Sequence, residues 1–156
     1  MESRVRILGH GAHPILIVFP LGLLTTSLIF DVARIMSDNS QWAFAAYWMI
    51  AAGVVGGLVA AVPGLMDWLS IPAGTRAKKI GLFHAVTNVI VLMLFAIGWW
   101  MRRSMPEYVP DVSAVALSAI AVVLAMVGGW LGGELVERLG VSVHPDAHLN
   151  APSSLS

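Results

Sequence analysis

Two histidines and two acids in this sequence are placed so that they could share one site. His13 and His84 each lie near the start of a long apolar stretch, and Asp67 and Glu134 each lie at the end of one. If successive stretches are antiparallel helices, all four side chains lie at the same end of the molecule. Asn88 lies one helical turn beyond His84 on the same helix face. Ionisable residues in such apolar surroundings are costly, so the group is a candidate functional site.

One chemistry that these residues could support is the binding of haem b. Two imidazoles can hold a haem non-covalently from its two faces, and apolar helices around the ring would shield it. His13 and His84 are the candidate ligands, and Asn88 is a candidate cofactor contact. A redox cofactor held in this way would serve electron transfer or an accessory respiratory role.

A second chemistry is the binding of a metal ion by His13, Asp67, His84 and Glu134. Two imidazoles with one or two carboxylates form a site suited to non-haem iron, manganese or zinc. The same residues could also relay protons, because a free imidazole titrates at about pH 6.5.

The structural alternative assigns these residues to helix packing. His13, followed by Pro14, could cap the first helix, while His84 could bond to Asp67 and Asn88 to a neighbouring helix. Interhelical polar contacts in membranes contribute roughly 0.6 kcal/mol each. The sequence alone leaves the cofactor, the metal ion, the proton path and this structural role open.

Several other functions are excluded or left without support. The chain has no cysteine, which excludes disulfides, thiolate metal sites and covalent haem attachment. Nine basic and nine acidic residues balance each other, so nothing indicates a nucleic-acid partner. No G-x-S-x-G, P-loop or H-E-x-x-H motif occurs, so none of these enzyme classes is indicated, and whether the protein is an enzyme stays open.

The composition predicts an integral membrane protein. Hydrophobic residues make up 58% of the 156 residues and charged residues only 12%, against about 25% charged in soluble domains. A membrane-spanning helix needs roughly 20 apolar residues, and four stretches satisfy this, at residues 14–34, 42–66, 80–101 and 112–135. We predict an all-α, up-down-up-down bundle of four transmembrane helices within one domain, residues 1–143, followed by a flexible polar tail, residues 144–156. Pro20 should kink the first helix.

The charges flanking the spans predict the orientation. Most Lys and Arg residues lie in the N-terminal segment, in the loop between the second and third spans, and in the tail. The positive-inside rule then places both termini in the cytoplasm and the chain in the cytoplasmic membrane. Asp31 and Arg34, three residues apart, should form an ion pair on the helix surface.

The sequence also contains a candidate internal repeat. The second and fourth spans are similar, and each half carries one histidine and one acid, which suggests two similar helical hairpins in parallel. Gly53 and Gly57, like Gly128 and Gly132, have the spacing that lets helix backbones approach closely. We assign these glycines to packing inside the bundle. The same spacing is compatible with a homodimer.

Three segments resemble the bacterial membrane family catalogued as domain of unknown function 2231. They are GHGAHPILIVFPLGLL, GLMDWLSIPAGTRAKKIGLFHAVTNVIVL and GGWLGGELVERLGVSV, and the resemblance extends over about residues 9 to 143. It implies a four-span membrane protein and no established activity. The matching positions are Gly9, His10, His13, Pro14, Phe19, Pro20, Gly22, Asp67, His84, Asn88, Gly132, Gly133, Leu135, Val136, Gly140 and Val143.

The chain departs from the family pattern at two places. Similar proteins often read His-Phe-Pro where this one has Val18-Phe19-Pro20, and Leu-Val-Tyr-x-His-Gly where it has the segment from Leu135 to Gly140. Two histidines and a tyrosine common in the family are therefore missing here.

Overall fold

The chain folds into four long helices, preceded by a short hairpin. The structure is a computed structural model that describes residues 1–155. The elements are β1 (Arg6–Ile7), β2 (His10–Gly11), α1 (Ala12–Leu16), α2 (Val18–Ser37), α3 (Ser40–Ser70), α4 (Arg76–Arg102) and α5 (Val112–Gly133). A 3₁₀ turn, Pro106–Tyr108, precedes α5, and a π-helical turn, Glu134–Arg138, follows it. Four helical segments are long and apolar enough to cross a membrane, which confirms the predicted four-helix class.

Local chemistry sets where the helices begin and where the first one is interrupted. Asn39, Thr75 and Asp111 precede α3, α4 and α5, and each side chain accepts an N–H from the first turn of its helix. Between α1 and α2 the helix is interrupted at Ile17. Pro20 has no N–H to donate to the carbonyl of Leu16, one turn earlier, so the interruption lies where the missing bond would be.

The helices pack as two hairpins around an apolar core. The most extensive contacts join α2 to α3 and α4 to α5, while α3 with α4 and α2 with α5 close the bundle. Core side chains come from all four helices: Leu24, Ile50, Val91, Phe95 and Ala121. Both chain ends meet at one end of this bundle, where the Met1 ammonium donates to the Gly140 carbonyl at 2.7 Å.

The two hairpins bury equivalent positions. Every buried residue of α2 has a buried counterpart in α4 that lies 71 residues later in the sequence. The same sequence separation relates Asp31 to Arg102, which bond to each other. These pairs are Pro20/Val91, Leu24/Phe95, Ser27/Gly98 and Asp31/Arg102. Buried positions of α3 and α5 also match at one constant separation along the chain. Examples are Ala46/Ala114, Ile50/Ser118, Gly53/Ala121, Ala60/Gly128 and Pro63/Leu131.

This correspondence supports the internal repeat that the sequence suggests, and it corrects one equivalence. In the α3/α5 series Asp67 matches Leu135, and both are buried. Glu134 is therefore not the counterpart of Asp67. The α2/α4 series also pairs His13 with His84, so the two histidines occupy equivalent positions of the two halves.

The tail contacts the N-terminal segment. The Ser3 and Ser142 hydroxyls are hydrogen-bonded to each other, and His144 Nε2 lies 3.0 Å from Glu2 Oε1. The predicted tail extends to Ser156, which lies outside the described residues, and its flexibility stays a prediction.

Candidate functional site

His13 is fixed by the main chain of a neighbouring helix. Its Nδ1 lies 2.8 Å from the carbonyl oxygen of Ala60 in α3. A carbonyl only accepts hydrogen bonds, so Nδ1 carries the proton and Nε2 of the neutral ring keeps a free lone pair.

His84 has the equivalent arrangement in the second half. Its Nδ1 lies 2.9 Å from the carbonyl oxygen of Gly128 in α5, so this ring also presents an unprotonated Nε2 when neutral. The amide of Asn88 donates to the His84 carbonyl at 2.8 Å, and its nitrogen lies 3.3 Å from His84 Nε2. Asn88 thus contacts the His84 ring, as expected for a residue one turn away on the same face.

Glycines allow the rings and the amide to approach the helix backbones. A Cβ added to Gly64 would lie 2.8 Å from His13 Nδ1, and one added to Gly132 would lie 3.2 Å from His84 Cε1. A Cβ at Gly128 would lie 3.0 Å from the Asn88 amide oxygen. The glycine spacing in α5 therefore serves packing inside the bundle, and the same holds in α3, where Gly53 and Gly57 face Leu24 and Leu92.

The two imidazoles lie close together across the bundle. Their ring centroids are 6.1 Å apart and their planes are inclined by 83°. Both side chains are partly buried. The structure thus brings together His13, His84 and Asn88, the three residues that the sequence assigns to cofactor binding.

The two acids do not complete a metal site with the histidines. Within residues 1–155 no three or more His, Cys, Asp or Glu side chains form a group that could hold a metal ion. The predicted set of His13, Asp67, His84 and Glu134 is not found as such a group in this part of the chain. The predicted bond between His84 and Asp67 is also absent, because His84 Nδ1 bonds instead to the Gly128 carbonyl.

Each acid instead binds an arginine of its own half that lies N-terminal to the histidine, Arg4 before α1 and Arg76 at the start of α4. Asp67 Oδ1 accepts the Arg4 main-chain N–H at 2.6 Å, and Glu134 pairs with the Arg76 guanidinium at 2.5 Å. One oxygen of each carboxylate accepts an N–H donor of the chain, Asp67 Oδ1 from Arg4 and Glu134 Oε1 from Arg76. The two acids position the elements that carry the histidines.

A family model described as "Predicted membrane protein (DUF2231)" matches residues 9–145. The chain belongs to this family. The resemblance expected from the sequence is thereby confirmed, and the match includes both histidines, Asn88 and both acids. No curated protein matches the chain, and no solved structure matches it.

The part of the chain matched by the DUF2231 model also contains a buried ion pair at the opposite end of the bundle. The Arg102 guanidinium donates to both oxygens of Asp31, at 2.8 and 2.7 Å, and to Ser118 Oγ at 3.2 Å. The side chains of both charged residues are completely buried. The predicted Asp31–Arg34 pair is therefore wrong, and Arg34 lies 3.3 Å from Asp38 instead.

A signal for this pair is present in the sequence, although local spacing does not reveal it. Asp31 and Arg102 occupy the same position in the two halves, just as His13 and His84 do. Alignment of the halves on their histidines would place the only acid of the first span opposite a base of the third.

Proposed function

We propose that this membrane protein binds haem b between His13 and His84 and transfers electrons to a respiratory partner protein. The observation that carries the proposal is the pair of equivalent imidazoles, each oriented by a main-chain carbonyl through Nδ1. Each neutral ring therefore has an unprotonated Nε2; that of His84 lies 3.3 Å from the Asn88 amide nitrogen, which a ligand at this atom would replace. Metal-binding histidines characteristically donate the other ring N–H to a carbonyl or carboxylate in this way.

The distance between the rings is compatible with a shared ligand, and equally with an edge-to-face contact of the two rings. Two imidazoles that held one metal ion through bonds of about 2 Å would have ring centroids roughly 6 Å apart. The centroids of His13 and His84 are 6.1 Å apart.

The donor set favours haem over a bare ion. A non-haem ion of iron, manganese or zinc usually takes three or more protein ligands, and no such group occurs in residues 1–155. A haem would need fewer protein ligands than a bare ion, and His13 and His84 would supply them. The bound haem would supply reversible one-electron chemistry, while His13 and His84 would hold it and the apolar helices would limit the access of water.

A second function, a structural lock, is favoured by the same hydrogen bonds. The His13–Ala60 bond joins α1 to α3, and the His84–Gly128 bond joins α4 to α5. If no cofactor binds, these bonds would hold each hairpin together in a non-catalytic membrane component.

One experiment separates the two functions. Protein purified in mild detergent, before and after addition of haemin, is compared with His13→Ala, His84→Ala and the tail control His148→Ala by absorption spectroscopy and elemental analysis. Haem binding predicts a Soret band with redox-sensitive visible bands in the parent and in His148→Ala, and their loss in the other two variants. A parent protein that gives no such band after haemin addition refutes haem binding. Lower thermal stability of the two site variants would then favour the lock.

We also propose that the histidine end faces the cytoplasm, with the protein in the cytoplasmic membrane of a bacterium. The excess of Lys and Arg in the N-terminal segment, the α3–α4 loop and the tail supports this orientation.

A further inference from the structure

Two surface grooves lie at the histidine end, at equivalent places on the two halves. The first groove, of about 410 Å³, is lined by Arg4, Met66, Leu69 and Ser70. The second, of about 400 Å³, is lined by Trp130, Gly133, Glu134, Glu137 and Arg138. The α3 residues of the first groove have equivalents in the second groove, at the same separation along the sequence as Ala60 and Gly128. The equivalent pairs are Met66/Glu134, Leu69/Glu137 and Ser70/Arg138. The same site of the repeat is therefore formed twice, with different chemistry.

The first groove combines one free cation with an apolar wall. Met66 and Leu69 are 44% and 63% exposed at the end of a membrane-spanning helix. Arg4 is exposed, and its guanidinium forms no ion pair or hydrogen bond with any part of the chain between residues 1 and 155. The Arg4 main-chain N–H donates to Asp67 Oδ1, which holds the backbone of Arg4 at the edge of the bundle.

We propose that the first groove binds an anionic phospholipid. Its phosphate would pair with the Arg4 guanidinium, which can donate two parallel hydrogen bonds to phosphate oxygens. Its acyl chains would lie along Met66 and Leu69. The Ser70 hydroxyl already donates to the Met66 carbonyl, so Arg4 is the donor available to an anion.

The second groove is not expected to bind an anionic phospholipid in the same way. Its single cation, Arg138, lies beside the exposed carboxylate of Glu137 and the carboxylate of Glu134. Arg76 pairs with Glu134, and Glu137 lines the groove together with Arg138, so this groove has no cation without a neighbouring acid to attract an anionic headgroup. Arg138 is therefore a matched control for Arg4, because it occupies the equivalent groove of the same molecule.

The test measures lipid selectivity by native mass spectrometry in detergent, with phosphatidylglycerol and phosphatidylcholine added at equal concentrations. One favourable arginine–headgroup interaction corresponds to about a fivefold preference for the anionic lipid. We expect the preference to disappear in Arg4→Gln and to persist in Arg4→Lys and Arg138→Gln. Arg4→Gln keeps the main-chain N–H that Asp67 accepts, so the fold should be unaffected, and a thermal unfolding curve checks this.

Two results would overturn the proposal. One is an unchanged lipid preference in Arg4→Gln, and the other is an equal loss in Arg138→Gln, which would indicate a general effect of charge. A further arm adds inorganic phosphate at the concentration of the lipid. Displacement of phosphatidylglycerol by phosphate would mean that the groove recognises the free anion rather than the lipid. None of these results depends on whether haem binds between the histidines.

Discussion

The imidazole of His13 lies against helix α3 at a place where only a glycine leaves enough room. Its Nδ1 bonds to the Ala60 carbonyl, and Gly64, one turn further along the same helix, lies beneath the ring. Because the hydrogen bond fixes the ring, the ring cannot move away from an added side chain without losing its partner. The position of the His13 ring therefore depends on the absence of a Cβ at Gly64.

We predict that Gly64→Ala destabilises the protein. The new Cβ would lie 2.8 Å from His13 Nδ1, and overpacking of this kind typically costs 1–3 kcal/mol, about as much as or more than the ~1 kcal/mol that alanine gains over glycine in a helix. Gly22→Ala is the control, since a Cβ there meets nothing within 4 Å. Thermal unfolding in detergent should give a lower Tm for Gly64→Ala than for Gly22→Ala. Equal Tm values would contradict the assigned packing.

Removal of the Arg76–Glu134 ion pair at the histidine end should lower the stability of the protein only slightly. Arg76 and Glu134 are 2.5 Å apart, but the Arg76 side chain is 58% exposed. Exposed pairs contribute about 0–1 kcal/mol because water and salt screen the charges. Arg76→Gln should therefore shift the Tm by no more than a few degrees. A loss of folding would show that this contact has a larger role than its exposure indicates.

At the scale of the helices, the Asp31–Arg102 pair joins α2 to α4. Removal of one partner of a completely buried pair leaves an uncompensated charge, which costs about 3–5 kcal/mol. We expect Arg102→Met to reduce stability strongly, while Arg103→Met, which removes an exposed cation lying over Trp100, has little effect. Thermal unfolding of the two variants tests this.

The double variant Asp31→Leu/Arg102→Met completes the experiment. It removes both charges and should recover much of the stability lost in Arg102→Met, since well-packed apolar residues often replace buried pairs at little cost. If the double variant is no more stable than Arg102→Met, then the loss comes from altered packing and not from an unpaired charge.

The sequence predicts how many helices there are better than it predicts which residues of different helices contact each other. Each span needs a fixed length of apolar residues, so hydropathy alone reveals four of them. Which face of a helix points inward is different, because lipid is as apolar as the core and no polar face marks the outside. The alternation of spans correctly brings His13 and His84 to the same end. It cannot show that Asp67 faces Arg4 or that Asp31 faces Arg102, since these contacts depend on rotation about the helix axes.

At the scale of the whole molecule, the proposed orientation can be tested without interference from native thiols. The chain contains no cysteine, so a membrane-impermeant maleimide reacts only with an introduced one. Asn39→Cys lies between α2 and α3, and Ala73→Cys lies between α3 and α4, at the opposite end of the bundle. We expect intact cells to be labelled at Asn39→Cys, and at Ala73→Cys only after permeabilisation. The reverse pattern would refute the cytoplasmic placement of the histidine end.

The pairing of equivalent positions has a consequence for how such a bundle can be assembled. Two copies of the first hairpin would keep a pair of histidines at one end but would bring Asp31 against Asp31 at the other, and two copies of the second would bring Arg102 against Arg102. Two like charges without a counterion inside a membrane repel each other and remain desolvated. Only the combination of one hairpin of each kind neutralises the interior. The ion pair therefore makes the association of the two halves selective for the unlike partner, while the histidine pair at the other end remains symmetrical.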